Sequence, residues 1–220
     1  MLLIELPVTE YPRAMEIQEH LVRRKLNSGG PDVLLMLEHP PTITLGKRAS
    51  YRDLRVSPQG LAARGLAVQS TDRGGEATYH GPGQVVCYPV MDLRHRRMRI
   101  RDFVQRLEET IIRTLTCFGV KGFRRDKTVG VWTGPLEKIA SIGVRIRRGV
   151  TSHGFSLNVN MPFDPAELIV VCGMPTVRMV SLGQLLDRPP DMEQVKEAIS
   201  ESFGEVFGVA LEKSPLPPWG

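Results

Sequence analysis

Residues Lys138–Ile146 and Val150–Val159 form two apolar-rich, alternating runs separated only by Arg147-Arg148-Gly149. That pattern predicts a long β-hairpin. Alternation turns one face of each strand towards a core, and a short glycine-containing turn reverses the chain. A hairpin cannot bury its apolar face alone, so further strands and helices must cover it. The chain supplies both. Strands are predicted at Leu2–Leu6, Val33–Leu37, Thr42–Leu45, Val85–Val90 and Thr128–Trp132, with a closing strand at Val209–Leu211. Ala14, Ile17, Leu21 and Lys25 share one face of a helix predicted over Tyr11–Asn27, which Gly29-Gly30 ends. A second helix is expected to be capped by Asp102 and to run to about Phe118, with Phe103, Leu107, Ile111 and Leu115 in one stripe. A third is capped by Asp191 and carries Val195, Ile199, Phe203 and Phe207. Ser57-Pro58 opens a shorter helix that Gly65 closes, and Asp164-Pro165 starts a helical turn. Hairpin-type strands with helices inserted between them define an α+β fold, not the regular alternation of a doubly wound sheet. The expected organisation is one domain over residues 1–213, with a loose proline-rich tail at 214–220.

No apolar run approaches the roughly 20 residues needed to span a bilayer. The start, Met1-Leu2-Leu3-Ile4-Glu5-Leu6-Pro7, lacks a basic n-region, and its apolar run is stopped by Glu5 and Pro7, so no signal peptide is expected. The three cysteines, Cys87, Cys117 and Cys172, are too few and too irregular for a disulfide framework. They point to a reducing compartment, the cytoplasm, and the missing CxxC pair argues against structural zinc. The net charge of +5 gathers at Arg94–Arg101, Lys121–Lys127 and Arg145–Arg148. Such clusters are either solvated surface or a face for an acidic partner. Nucleic acid is one such partner class, although no nucleic-acid motif accompanies the clusters and aromatics are only 6%, and an acidic protein fits as well.

Between two apolar segments lies Arg73-Gly74-Gly75-Glu76-Ala77-Thr78-Tyr79-His80-Gly81-Pro82-Gly83-Gln84. It reads as a loop in which glycines let backbone approach a ligand, with Arg73 and His80 supplying charge and a titratable ring. It is neither a Walker A sequence nor a GxGxxG turn opening a helix. A tight structural connection is the plainer alternative.

Cys87 falls inside a predicted strand and Cys117 beside a helical stripe, and both read as small buried hydrophobes. Cys172 ends the apolar run Leu168–Val171 and precedes Gly173, at a turn where a thiol can face a cleft. A cysteine nucleophile acts as thiolate, so a neighbour must take its proton. His39, His80, His153 and Lys138 are the candidates. Lys138 opens the hairpin strand. It is either an edge residue whose ammonium snorkels to solvent or a cation aimed into a cleft. The histidine and cysteine intervals show no metal-ligand pattern.

These segments together resemble the lipoate-protein ligase B family, the octanoyltransferases. The match runs through Glu38-His39-Pro40-Pro41, Thr44-Leu45-Gly46-Lys47, the Arg73–Gln84 stretch with Tyr88-Pro89, Lys138–Arg145, His153–Asn158 and Ile169–Gly173. It covers about Leu34 to Leu186, most of the chain. The resemblance implies a biotin/lipoate protein ligase-like catalytic domain around a mainly antiparallel sheet with flanking helices. It implies a reaction without cofactor, in which an octanoyl group leaves an acyl carrier protein thioester, rests on an enzyme cysteine, and passes to a lysine of a lipoyl domain. The acceptors implied are the lipoyl domains of 2-oxoacid dehydrogenase complexes and the glycine cleavage H protein. By motif match, Cys172 is the implied nucleophile and Lys138 its proton-transfer partner. Arg73 to His80 (Arg73, Gly74, Gly75, Glu76, Ala77, Thr78, Tyr79, His80), Ser141, Ile142, Gly143, Gly154, Phe155 and Ser156 are the implied acyl-pocket lining. His153, His39 and Gly83 are supporting residues, and no metal is implied. The family pattern often has proline before the cysteine, where this chain has Val171. An ATP-dependent lipoate or biotin ligase on the same fold and a non-enzymatic basic binding module are the rival readings.

Overall fold

The computed structural model describes residues 1–216. The chain runs β1 (Leu2–Glu5), α1 (Tyr11–Ser28), β2 (Val33–Leu37), β3 (Thr42–Leu45), α2 (Pro58–Ala62), β4 (Ala67–Ser70), β5 (Ala77–His80) and β6 (Gln84–Val90). It continues through α3 (Ile100–Cys117), β7 (Phe123–Arg125), β8 (Thr128–Gly134), β9 (Glu137–Arg147) and β10 (Val150–Asn158). It closes with β11 (Arg178–Met179), α4 (Leu182–Leu185), α5 (Met192–Phe207) and β12 (Glu212–Lys213). Single 3-10 turns lie at Tyr51–Asp53, Pro165–Glu167 and Val171–Gly173.

The large sheet has the order β12-β1-β2-β6-β10-β9-β8-β7, with β11 added beside β9. The β1–β2, β1–β12 and β9–β11 pairs are parallel and the rest antiparallel. The predicted hairpin is β9–β10, pairing Val150 with Arg147 through to Leu157 with Ala140. A smaller sheet has the order β4-β3-β5.

Both faces of the large sheet are covered, and β2 shows why its sequence is continuously apolar. Val33, Leu35 and Leu37 face α1, packing with Ile4, Ala14, Ile17 and Leu21. Leu34 and Met36 face the opposite way, into a core shared with Phe103, Leu107 and Ile111 of α3 and Val195, Ile199 and Phe203 of α5. The stripes at every fourth position thus define the two helices that close that face. A third core joins the small sheet to β8 and to the Val171–Gly173 turn through Ile43, Tyr79, Trp132, Ile169 and Val171.

Several expectations shift. The Arg73–Gln84 stretch is not all loop, because Ala77–His80 pairs with β3 over Thr42–Leu45. Arg99, not Asp102, occupies the cap position of α3. Asp102 lies one turn in, where its carboxylate meets the Arg99 guanidinium at 2.8 Å and favours the helix N-terminus. The closing strand is Glu212–Lys213, displaced from Val209–Leu211. Of the tail, Ser214 donates its N–H to Leu3 O at 2.9 Å and Leu216 packs against the α1-side core. Residues 217–220 lie outside the described residues.

Candidate active site

A cavity of about 350 Å3 opens between the β9–β10 hairpin, the Arg73–Ala77 stretch and the Val171–Gly173 turn. In its lining the Lys138 ammonium nitrogen stands 2.7 Å from Cys172 Sγ. Lys138 is only 2% exposed. Its Nζ also donates to Val129 O at 3.0 Å and lies 5.4 Å from the centre of the Trp132 ring. Sulfur, carbonyl and π-face therefore surround the ammonium. Lys138 is thus a side chain aimed into a cleft and not a snorkelling edge residue.

Cys172 is held in a left-handed conformation, φ 54° and ψ 28°, followed by Gly173 at φ 67°. Such a conformation in a non-glycine residue persists only where its surroundings fix it. The fixing contacts come from residues 53–55. Val170 N–H reaches Asp53 O at 2.8 Å, Arg55 N–H reaches Leu168 O at 2.8 Å, and the Arg55 guanidinium reaches Pro175 O at 2.8 Å. Leu54 forms an isolated bridge with Ile169. The turn is thereby bracketed on both sides of the sulfur.

The lining includes Arg73, Gly74, Gly75, Glu76, Ala77, Thr78 and His80 from one wall, and Ser141, Ile142, Gly143, His153, Gly154, Phe155 and Ser156 from the hairpin. Gly143 has a steric reason: a Cβ there would sit 2.8 Å from Gly74 O. The loop lies directly on β9, with Gly74 N–H donating to Val144 O at 3.0 Å. Arg73 is buried and holds the loop's shape. It donates to Thr44 O at 2.7 Å, Thr44 Oγ1 at 2.8 Å and Glu76 O at 2.8 Å.

Three expected residues stand off the cavity. Tyr79 points into the third core and meets the Phe163 ring edge-on at 5.2 Å. Gly83 forms the turn before β6, donating its N–H to Glu38 Oε2 at 3.0 Å. His39 lies behind the wall. Its Nδ1 is 2.6 Å from Thr9 O, an acceptor only, so Nδ1 carries the proton and Nε2 accepts from Tyr88 OH at 2.8 Å. Burial pushes the His39 pKa down to about 4. His80 donates Nδ1–H to Gln84 Oε1 at 2.7 Å, and burial holds it neutral too.

His153 spends Nε2 on Asp72 Oδ1 at 2.9 Å, and Asp72 also binds Arg145. Burial lowers its pKa against the pull of Asp72. The nitrogen in contact with Sγ is that of Lys138, not of a histidine. Sequence reasoning missed Tyr11, Val86, Tyr88, Val104, Val129 and Val144 in the lining. They sit on regular elements with ordinary apolar patterning and carry no local mark of a site. Cys87 is buried as expected, and burial raises its pKa. Cys117 is exposed, contrary to expectation, because the end of α3 turns that side to solvent. Among the described residues no group of three or more His, Cys, Asp or Glu could hold a metal ion.

Solved structures share this architecture. A bipartite lipoate protein ligase from Thermoplasma acidophilum superposes with TM-score 0.78 at 16% identity, covering 97% of this chain and 86% of its own. The biotin protein ligase of Aquifex aeolicus, solved with biotin and ATP, gives TM-score 0.59 at 13% identity, covering 94% and 70%. The fold is that of the lipoate and biotin ligase catalytic domains. The model of the lipoyl protein ligase A/B catalytic domain matches residues 10–204. An octanoyltransferase of Desulfotalea psychrophila is 41% identical over 94% of this chain and 93% of its own length. One of Chloroflexus aggregans is 42% identical over 90% of each. The chain belongs to the lipoyl protein ligase A/B family and, within it, to the octanoyltransferases.

Proposed function

We propose that this enzyme moves an octanoyl group from an acyl carrier protein thioester to the lysine ε-amine of a lipoyl domain, through an acyl-enzyme on Cys172. The observation that carries the route is the 2.7 Å contact between Lys138 Nζ and Cys172 Sγ in the cavity lining. Lys138, as the neutral amine, takes the thiol proton and becomes the ammonium that faces the Cys172 thiolate. The Cys172 sulfur attacks the thioester carbonyl, the bond to the carrier sulfur breaks, and Lys138 returns the proton to the departing thiol. In the second half the acceptor amine attacks the Cys172 thioester. Its proton passes to Lys138, the carbon–sulfur bond breaks, and the proton returns to Cys172. We assign the oxyanion of each tetrahedral intermediate to backbone N–H groups at Cys172-Gly173.

Arg73–Thr78, His80 and the hairpin residues Ser141–Gly143 and Gly154–Ser156 wall the acyl chain. At ~0.8 kcal/mol per buried methylene, an eight-carbon chain contributes about 5 kcal/mol to binding. That term sets the length preference. Acceptors are lipoyl domains, including those of 2-oxoacid dehydrogenase complexes and the glycine cleavage H protein. The net charge of +5 suits acidic carrier and acceptor proteins. Residues 1–213 act as one catalytic domain, a reading supported by β12 joining the sheet beside β1. The cytoplasm is the compartment assigned, in keeping with three free cysteines. Among the described residues no helix is long and apolar enough to cross a membrane.

The test is intact-mass analysis after mixing the enzyme with octanoyl-acyl carrier protein without ATP. A single octanoyl adduct is expected, absent in Cys172→Ala and discharged by a lipoyl domain. Strict ATP dependence, or an adduct that survives Cys172→Ala, would overturn the route.

A further inference from the structure

One peptide unit joins Lys138 to a buried carboxylate on another element. The Val129 carbonyl accepts from Lys138 Nζ at 3.0 Å. The N–H of the same peptide, that of Gly130, donates to Glu108 Oε1 at 3.1 Å. Carbonyl and N–H of a trans peptide point in opposite directions, so Lys138 and Glu108 sit on opposite sides of one amide. Glu108 projects from α3 and is 6% exposed. The ladder pairs of β8 with β9 begin at Val131–Ala140, with a register shift just beyond. The Val129–Gly130 peptide is outside those pairs, and its two polar groups serve the side chains instead.

Gly130 is fitted to this arrangement. Its φ of 125° disfavours a side chain, and a Cβ would sit 2.6 Å from Lys138 Cε and 2.6 Å from Ala140 O. The flexibility that lets glycine adopt this conformation also lets the peptide rotate unless something holds it. Glu108 holds it. Arg124 of β7 meets Glu108 Oε2 at 3.2 Å from the outer side.

We propose that Glu108 is a positioning residue for the acyl transfer, acting through the Val129–Gly130 peptide to orient and electrostatically anchor the Lys138 ammonium. This rests on the reading of Lys138 as the proton carrier. Glu108 does not line the cavity, so it acts on the lysine and not on the acyl chain. A carboxylate bonded to the amide N–H polarises it and makes the carbonyl a better acceptor for the ammonium. It also supplies a negative charge that persists when Cys172 is acylated, and so favours the passage of the acceptor amine's proton to Lys138 while the sulfur carries no charge. Burial raises the Glu108 pKa, while the Gly130 N–H, Arg124 and Lys138 pull it back down. The other charged groups facing this cluster are Glu109 on α3, which shares Arg124, and Arg125, whose guanidinium lies 4.8 Å from the Trp132 ring centre. Arg73 and Lys127 face the cavity side, together with Cys172 itself.

The experiment is single-turnover acylation of Cys172 by octanoyl-acyl carrier protein across pH, with the wild type, Glu108→Gln, Glu108→Asp and Lys138→Met. Glu108→Gln keeps an acceptor for the Gly130 N–H but loses the charge. It should slow acylation roughly tenfold without changing donor KM, and move the alkaline limb of the pH profile about half a unit lower. Glu108→Asp keeps the charge on a shorter stem, so its limb should stay while the rate falls. A lost fold lowers active-site titre but moves no limb, which separates positioning from mere stability. An unmoved limb in Glu108→Gln overturns the inference. If that variant does not fold, a wild-type rate in Glu108→Asp overturns it. If Lys138→Met acylates at the wild-type rate, the lysine reading itself falls, and this inference with it.

Discussion

His39 makes stability pH-dependent in a window that the structure defines. In the folded chain its ring is fully buried, bonded to Thr9 O and Tyr88 OH, with a pKa of about 4. In the unfolded chain it titrates near 6.5. Below pH 6.5 the unfolded state therefore binds the proton first, and stability falls as pH drops from 6.5 towards 4, then levels off. At 1.36 kcal/mol per pH unit, His39 costs about 2 kcal/mol between pH 7 and pH 5, and about 3 kcal/mol by pH 4. That is a large share of the 5–15 kcal/mol of a typical domain. Burial shifts His80 and His153 in the same direction, so the measured drop should be larger. Asp92, lowered to about 2 chiefly by its hydrogen bond from Arg94, acts in a separate window. Its contribution is present above about pH 4 and is lost as pH falls through 2. The assay is urea unfolding at pH 7 and pH 5 for the wild type and His39→Asn. The variant should lose about 2 kcal/mol less than the wild type over that interval. Equal losses would refute the assignment. Protonating His39 also removes the acceptor for Tyr88 OH, so the cavity wall carrying Tyr88 and His80 should loosen in the same pH range.

Two further outcomes follow from the site. Arg73→Met removes the charge-assisted bonds to Thr44, Gly74 and Glu76 and should lower stability by about 3 kcal/mol or more, read as a fall in the urea midpoint; a change under ~0.5 kcal/mol would show that the loop holds itself. Iodoacetamide with peptide-resolved mass spectrometry should label exposed Cys117 and half-buried Cys172 but leave buried Cys87 unmodified, and prior incubation with octanoyl-acyl carrier protein should protect Cys172 alone. Protection of Cys117, or labelling of Cys87 in the folded enzyme, would contradict the burial and the chemistry assigned.

The parts of this fold written locally were legible: the β9–β10 hairpin from its alternation and turn, and α3 and α5 from apolar residues at every fourth position. What escaped reading depends on partners distant in sequence. Ala77–His80 looked like loop because glycines flank it, yet pairing with β3 makes it a strand. The clamp at residues 53–55 is invisible without knowing that Leu168–Pro175 returns to it. Glu108 reads as one more charged residue beside the Leu107 stripe, since nothing local announces that β7 and β8 will bury it.

Lys138 shows how such non-local pairing settles chemistry. In sequence it stands at the start of a strand, where a long charged side chain commonly reaches solvent. In the fold, β8 pairs beside it through Trp132 and β11 pairs on the other flank through Met179. A strand start flanked on both sides is not a sheet edge, and the stem runs beneath Trp132 into the cavity instead of along an edge to bulk solvent. The ammonium must then find acceptors inside, which it does at Val129 O and Cys172 Sγ. β11 itself is only Arg178–Met179 and follows shortly after Cys172 in the chain. The segment that delivers the sulfur to the lysine is therefore continuous with the strand that pairs beside the lysine. A change that loosened residues 168–180 would cost both the sulfur contact and the strand pairing at Lys138 at once.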